Sequence, residues 1–171
     1  MAVTLQGTVN VGLNFTYLQS ATGFDSLTGI LNYVNSPTAY TSGSGANQVN
    51  AAYISRARSL AGTSENFLLY GTLVDAYGTT LNFTTVKLIY VKNLSTTTAQ
   101  YLKLSGDFID GDTSNLGPVG GTTPVIYIGP GGVFLWDSPT DGATVTNSSK
   151  ETLTVTNAAT FTYDIVILGT V

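Results

Sequence analysis

The chain has 171 residues, enough for one domain with a sizeable core. It contains neither histidine nor cysteine, so a disulfide framework is excluded, and the side chains that most enzymes and metal sites use are missing. Ten acidic and six basic residues give a net charge of −4, and the basic residues are too scattered to form the clustered Lys and Arg that nucleic-acid binding requires. No apolar run approaches the ~20 residues of a membrane-spanning helix, so the totals predict a β-rich scaffold without nucleic-acid or membrane partners.

The first predicted element is an extended segment within residues 1–20. Its apolar residues fall on positions of one parity, opposite mainly hydroxyl and amide residues: Val3, Leu5, Val9, Val11, Leu13, Phe15 and Tyr17. A period of two is typical of a strand with one apolar face, and Gly7 and Gly12 indicate bends or bulges in it. The pattern leaves open whether the segment is a strand of the protein's own sheet or an arm onto another subunit.

The segment near residues 25–35 departs from this alternation. Its apolar residues follow the spacing of one helix face: Leu27, Ile30, Leu31 and Val34. Asp25 precedes them at the position of an N-cap, so the spacing predicts a short helix. One glycine and two asparagines within the segment weaken this pattern.

From residue 49 onward the sequence predicts a series of short strands separated by Gly, Asn, Asp and Pro. They fall near residues 49–57, 66–74, 80–84, 86–92, 100–104, 124–128, 133–136, 143–146, 152–156 and 161–168. The last of them starts with polar residues on one face and ends with apolar ones, which predicts burial on both faces. Short strands at this spacing predict an all-β fold, an antiparallel β-sandwich or barrel in a single domain spanning residues 1–171.

The longest irregular stretch runs from Ser105 to Thr123 and contains a cluster of carboxylates. Asp107, Asp110 and Asp112 could together hold a hard cation such as Ca²⁺. No glutamate closes the loop in the way of a helix-loop-helix calcium site, and the alternative interpretation is a solvated turn.

No pattern of catalytic residues is present. The chain has no Gly-x-Ser-x-Gly elbow, and its glycine-rich segment at residues 129–132 lacks the Lys-Ser/Thr of a phosphate-binding loop. A glycosidase needs two opposed carboxylates, and the sequence singles out no such pair. We therefore expect no enzymatic activity, no catalytic residues and no cofactor.

Three residues are candidates for contacts with a partner. Trp136 lies in an apolar run, residues 133–136, which indicates a core or inter-subunit anchor; a sugar-stacking platform beside exposed tyrosines is the alternative. Arg56 and Arg58 have the same parity on one predicted strand and are expected to point the same way. They are either a solvated pair or part of a recognition surface, where Arg is enriched.

Two blocks of sequence resemble a known group of proteins. The first is SENFLLYGTLVDAYGTTLNFTTVK at residues 64–87, leading into LIYVKN, and the second is IGPGGVFLWDSP at residues 128–139, followed by TYDIVILG at residues 162–169. With GANQ at residues 45–48 and Arg58 ahead of them, this order resembles small structural proteins of tailed bacteriophages. The resemblance covers most of residues 45–169.

The resemblance implies a non-enzymatic, jelly-roll-like β-sandwich that acts as a capsid decoration (cement) protein. Its expected partners are the major capsid protein and further copies of itself, commonly as a trimer. Its expected place is the exterior of the virion capsid, after assembly in the bacterial cytoplasm. The expected contact residues are Leu5, Arg56, Arg58 and Trp136.

Two other functions stay open. One is a receptor-binding module at the tail or a head fibre, reading host glycans with tyrosines and the 105–123 loop. The other is a carbohydrate-active enzyme that uses carboxylates of the same loop.

Overall fold

The computed structural model describes residues 4–19, 27–34, 37–60, 63–111, 118–120, 123–157 and 160–171. These residues form eighteen β-strands and no helix, so the predicted all-β class is confirmed for the described part of the chain. Among them, no helix is long and apolar enough to cross a membrane.

Most of the strands are short, with three to five residues common and nine the longest. In chain order they are β1 (Gly7–Val9), β2 (Gly12–Gln19), β3 (Leu27–Val34), β4 (Thr38–Ser42), β5 (Gln48–Val49), β6 (Ala51–Ser59), β7 (Ser64–Leu68), β8 (Tyr70–Val74), β9 (Thr80–Asn82), β10 (Thr85–Asn93), β11 (Leu102–Ser105), β12 (Asp110–Gly111), β13 (Val119–Gly120), β14 (Ile126–Ile128), β15 (Val133–Asp137), β16 (Ala143–Thr144), β17 (Thr152–Thr156) and β18 (Thr162–Thr170). Each strand predicted from residue 49 onward has a counterpart among them, because local alternation is strong there.

Nine of these strands form two antiparallel sheets, one of five strands and one of four, and eight of the nine form their two four-strand paths. The first sheet has the order β15-β10-β18-β6, with the short β16 also pairing with β10, and the second has the order β14-β11-β17-β7. Numbered one to eight along the chain, the strands run 6-3-8-1 in the first sheet and 5-4-7-2 in the second. The first and last of the eight are therefore neighbours, and the predicted antiparallel β-sandwich is confirmed.

The main core lies between the two sheets. Alternate residues of the central strands meet there and are fully buried: Ile89, Val91, Ile165, Ile167, Leu102, Leu104, Leu153 and Val155. Each such aliphatic side chain contributes about 1.5–3 kcal/mol relative to an exposed one. This burial explains the period of two in the sequence of β11, β17 and β18.

A third layer covers the outer face of the first sheet. It is the three-stranded sheet β1-β4-β5, which we call the N-terminal layer. Tyr40 and Val49 of this layer are buried with Leu88, and Val166 and Leu168 pack against them from β18. The prediction that β18 is buried on both faces is confirmed in part: one face is buried in the main core, and Val166 and Leu168 on the other are half-buried.

The predicted helix near residues 25–35 is wrong: Leu27–Val34 is a strand. β3 pairs antiparallel with β2 along its whole length, from Gly12 opposite Val34 to Gln19 opposite Leu27. A glycine in a helix interior costs about 1 kcal/mol relative to alanine, whereas β-branched and aromatic residues favour a strand once a partner is present. Asp25, the expected N-cap, lies outside the described residues. Within the described chain, neither β2 nor β3 pairs with any other strand.

Gly106, directly after β11, is a position where glycine is required on two grounds. Its φ is 113°, and a Cβ there would lie 2.2 Å from the carbonyl oxygen of Thr152. Because both the left-handed backbone and this contact oppose a side chain, we expect Gly106→Ala to lower the free energy of unfolding by about 3 kcal/mol. Urea unfolding measures the loss.

Gly131 provides the matched control. Its φ is also positive, 70°, but a Cβ there would meet no atom of the described residues within 4 Å. Gly131→Ala should therefore cost only about 1 kcal/mol, for the backbone conformation alone. Equal losses at the two positions would contradict the steric argument for Gly106.

Candidate functional site

A groove lined by tyrosines crosses the outer face of the second sheet. Leu102 and Leu104 of β11 face the core, so Tyr101 and Lys103 face outward. On the neighbouring strand Tyr127 stands opposite Lys103 in the register. Tyr101 is 51% exposed and Tyr127 is 67% exposed. The groove has a volume of about 450 Å³, which is within the range of small-molecule sites, about 300–1,000 Å³.

Polar side chains complete the groove. Thr156 of β17 stands on the other side of Lys103, and Thr63 and Gln100 lie at the margin. The hydroxyl of Ser95 is hydrogen-bonded to Oε1 of Gln100, which leaves the amide NH₂ as the donating end of that side chain. The arrangement offers two aromatic faces, one ammonium group and several hydroxyl and amide groups, which is a binding chemistry rather than a catalytic one.

Asn93, at the end of β10, holds the two tyrosine-bearing segments together. Its side chain is fully buried, and its Nδ2 donates to the carbonyl oxygens of Gln100 at 2.8 Å and Ile128 at 3.1 Å. These two carbonyls directly adjoin Tyr101 and Tyr127 in the chain. Its Oδ1 accepts from the backbone N–H of Ser95 at 3.0 Å. Asn93 is thus a positioning residue for the groove, buried with its hydrogen-bonding capacity used.

Arg58, one of the predicted contact residues, is turned toward the interior by a β-bulge. Ser55 pairs with Ile165 and Arg58 with Tyr163, so residues 56–57 together stand opposite Asp164. The carboxylate of Asp164 accepts from the backbone N–H of residue 57 at 2.7 Å. This extra residue in β6 turns the side chains that follow it to the opposite face of the strand. The prediction that Arg56 and Arg58 point the same way is therefore wrong: Arg56 is exposed, whereas Arg58 contacts Glu65 and keeps 35% of its side chain exposed.

Arg58 belongs to a polar network between the sheets. Its guanidinium forms an ion pair with Glu65 of β7, donates to the hydroxyl of Tyr53 at 3.2 Å, and lies 5.2 Å from the ring centroid of Phe67. The hydroxyl of Tyr163 donates to Glu65 at 2.7 Å. The network links β6 and β18 of the first sheet to β7 of the second.

The carboxylate of Glu65 is stabilised in its charged form. The hydrogen bond from Arg58 lowers the pKa of Glu65, and the one from Tyr163 acts in the same direction, against the effect of burial. Burial, together with the hydrogen bond to Glu65, raises the pKa of the Tyr163 phenol. The network is therefore held as a charged Arg58–Glu65 pair with a neutral tyrosine.

This predicts a loss of stability in acid that depends on Glu65. Because the pKa of Glu65 is lower in the folded than in the unfolded chain, its contribution is present above the ordinary value of 4.5 and is lost as pH falls through the folded value. Glu65→Gln should lower the melting temperature at neutral pH, and the difference from the wild type should shrink in acid. Thermal unfolding across this range tests it, and a difference that does not change with pH would contradict the assignment.

The structure places Trp136 and Leu5 against the protein's own cores. Trp136 stands opposite Ile89 in the first sheet, is half-buried and packs against the main core. Leu5 is half-buried against the cluster beneath the N-terminal layer. Of the predicted contact residues, Arg56 is the one that is exposed, whereas Leu5, Arg58 and Trp136 are half-buried.

Two carboxylates of the 105–123 loop, those of Asp107 and Asp110, lie in the described part of the chain. Oδ1 of Asp107 accepts from the backbone N–H groups of Glu151 at 3.0 Å and Thr152 at 2.6 Å. Asp110 is half-buried in β12, and Asp112 lies outside the described residues. Within the described ranges no group of three acidic residues could hold a metal ion. Asp107 instead anchors its turn to the start of β17.

Lys87 is an ionisable residue that the sequence analysis did not single out. It is 3% exposed, and its Nζ donates to the carbonyl oxygens of Gly45 at 2.6 Å, Pro139 at 3.1 Å and Thr140 at 3.4 Å. Burial lowers its pKa, and nearby Asp141 opposes that effect. Lys87 thereby ties the loop between β4 and β5 to the loop after β15. The signal for it was a lysine directly flanked by Val86 and Leu88 in β10.

Comparison with known proteins returned no relative. No protein-family model matches the chain, and neither the curated proteins nor the solved structures contain a match.

Proposed function

We propose that this protein is a non-enzymatic structural component of a tailed-bacteriophage virion, a head decoration (cement) protein that binds and stabilises the lattice of the major capsid protein. The observation that carries the proposal is the strand order 6-3-8-1 over 5-4-7-2. We read this order as that of a jelly roll, an architecture frequent in viral capsid and lectin domains. Because a fold alone does not specify a function, the resemblance of residues 45–169 to phage structural proteins supplies the second support.

The β2–β3 hairpin is the proposed contact with the capsid. An isolated two-stranded hairpin is at best marginally stable in water, so one that pairs with no other described strand is suited to a partner surface. Its register sets Leu13 opposite Tyr33 and Phe15 opposite Leu31. These four apolar residues share one parity in the sequence, which is the pattern of a strand pair with an apolar face.

The mechanism is stabilisation by binding. A protein that binds only the assembled lattice stabilises that state by RT ln(1 + [L]/Kd), with no chemical step. Copies joined as an oligomer, which we propose to be a trimer, engage several lattice sites together and gain avidity. The protein then lies on the exterior of the capsid after assembly in the bacterial cytoplasm.

Immunogold labelling of intact particles, with antibody raised to this chain, tests the placement. Label over the whole head supports decoration, and particles lacking the protein should then lose DNA at a lower temperature than decorated ones. Label confined to the tail end contradicts the decoration role. Particles equally stable with and without the protein would contradict the stabilising mechanism.

A receptor-binding module at the tail or a head fibre is the second candidate. The tyrosine-lined groove favours it, because exposed aromatic and hydroxyl groups suit a glycan. Tail-end label would support this function in place of decoration.

A further inference from the structure

We propose that the tyrosine-lined groove on the second sheet binds an acidic saccharide, a sugar chain that carries carboxylate groups. The inference concerns a site on the sandwich body and does not rest on the position of the protein in the virion. If the groove binds no saccharide, the proposed decoration role still stands, and if the protein does not decorate the capsid, the proposed saccharide site still stands.

The aromatic surface is the first argument. Tyr101 and Tyr127 are the two large side chains of the groove, and both keep more than half of their surface in contact with water. The main core is complete without them. A pyranose ring has an apolar face made of C–H groups, which packs on a tyrosine ring, while the phenol hydroxyl remains available for hydrogen bonds.

The rigidity of the groove is the second argument. Tyr127 lies within a strand, Tyr101 directly precedes one, and the side chain of the buried Asn93 bonds both flanking carbonyls. The ring of Tyr101 also lies near Gly129, where an added Cβ would be 3.7 Å from Cε1 of the ring. A preorganised pair of rings loses little conformational entropy when a ligand binds.

Charge selects the class of saccharide. Lys103 stands directly opposite Tyr127 and two residues after Tyr101, and it forms no ion pair with any residue that the structure describes. Two other cations of the chain are engaged: Arg58 with Glu65, and Lys87 with three carbonyl oxygens. A carboxylate on the ligand would complement this ammonium group.

Neutral polar groups suit the remaining part of such a ligand. Thr63, Gln100 and Thr156 line the groove and present hydroxyl and amide groups that match sugar hydroxyls. A nucleic acid fits less well, because a single lysine on a chain of net charge −4 cannot replace the counterions of a phosphate backbone.

The experiment is a titration of the full chain, followed by NMR, with three acidic probes and one neutral probe. The acidic probes are trigalacturonate, a hyaluronan tetrasaccharide and sialyllactose, and the neutral probe is lactose. We expect at least one acidic probe to bind with a Kd on the order of 1 mM or tighter, and lactose to bind at least about tenfold more weakly. Added salt should weaken the binding of the acidic probe and leave the binding of lactose unchanged.

Substitutions locate the site. Tyr127→Ala should reduce the affinity for the acidic probe at least about tenfold, and Lys103→Gln should remove its preference over lactose. The controls are Tyr77→Ala, at a 73% exposed tyrosine on another turn, and Lys92→Gln, on the first sheet. Both controls should bind like the wild type, and melting curves should show that all four variants fold.

Three results would overturn the proposal. They are no binding of any acidic probe at millimolar concentration, binding that Tyr127→Ala does not change, and equal affinity for acidic and neutral probes that Lys103→Gln leaves unaltered.

Discussion

Replacing residues 11–36 by a short Gly-Ser linker is expected to abolish binding to phage heads while the sandwich itself stays folded. β2 and β3 pair only with each other among the described strands, so their removal breaks no hydrogen bond of the two main sheets. If the hairpin is the capsid contact, its loss removes the apolar anchor, and avidity multiplies the effect across copies. Co-sedimentation with heads that lack the protein should show at least about a 100-fold loss of affinity.

The control for this deletion is a surface change elsewhere. Tyr77→Ala alters a 73% exposed side chain on the turn between β8 and β9 and should leave sedimentation unchanged. Thermal unfolding of the deletion variant should resemble that of the wild type. A variant without the hairpin that still sediments with heads would refute the assignment of the contact.

Phe67→Ala is expected to destabilise the fold more than either Gly106→Ala or Glu65→Gln. Phe67 is 1% exposed, its ring centroid lies 5.8 Å from that of Tyr53 in an edge-to-face arrangement, and Arg58 lies over its face. Truncation to alanine creates a cavity and removes the ring over which Arg58 of the Arg58–Glu65 pair lies. The free energy of unfolding should fall by about 3–5 kcal/mol, out of a total of about 5–15 kcal/mol.

Urea unfolding with an unchanged m-value measures this loss, and the melting temperature should fall by about 10 °C or more. Ile54→Ala is the matched control, because Ile54 lies on the neighbouring β6 and is 58% exposed. It should change stability by no more than about 0.5 kcal/mol. Similar losses at the two positions would mean that Phe67 does not occupy the core as described.

The strands were predictable where their alternation was local. In β18, buried Tyr163, Ile165 and Ile167 alternate with residues of the opposite face, and nothing outside the strand is needed to detect that period. At Leu27–Val34 the local apolar spacing predicted a helix, but the segment is a strand. Its apolar spacing fits a helix as well, and the deciding factor was the pairing with β2, which the segment itself does not contain.

The candidate site was less predictable because its residues come from distant parts of the chain. The bulge that redirects Arg58 is held by Asp164, 107 residues from the bonded N–H group. Tyr101 directly precedes β11 and Tyr127 lies in β14, and only the pairing of these two strands brings the tyrosines to one groove. A sequence pattern specifies the face of a residue, but its partners across the sheet are set by topology.

β18 lies between β10 and β6 in the first sheet, although it follows both of them, and every other described strand, in chain order. Until it is in place, two long strands each have an unpaired edge, and the cluster around Ile165 and Ile167 is missing from the core. Nonlocal pairing of this kind slows folding, and unpaired edges invite association between chains. The first sheet is therefore completed only once β18 has been synthesised, and until then the nascent chain depends on protection from aggregation.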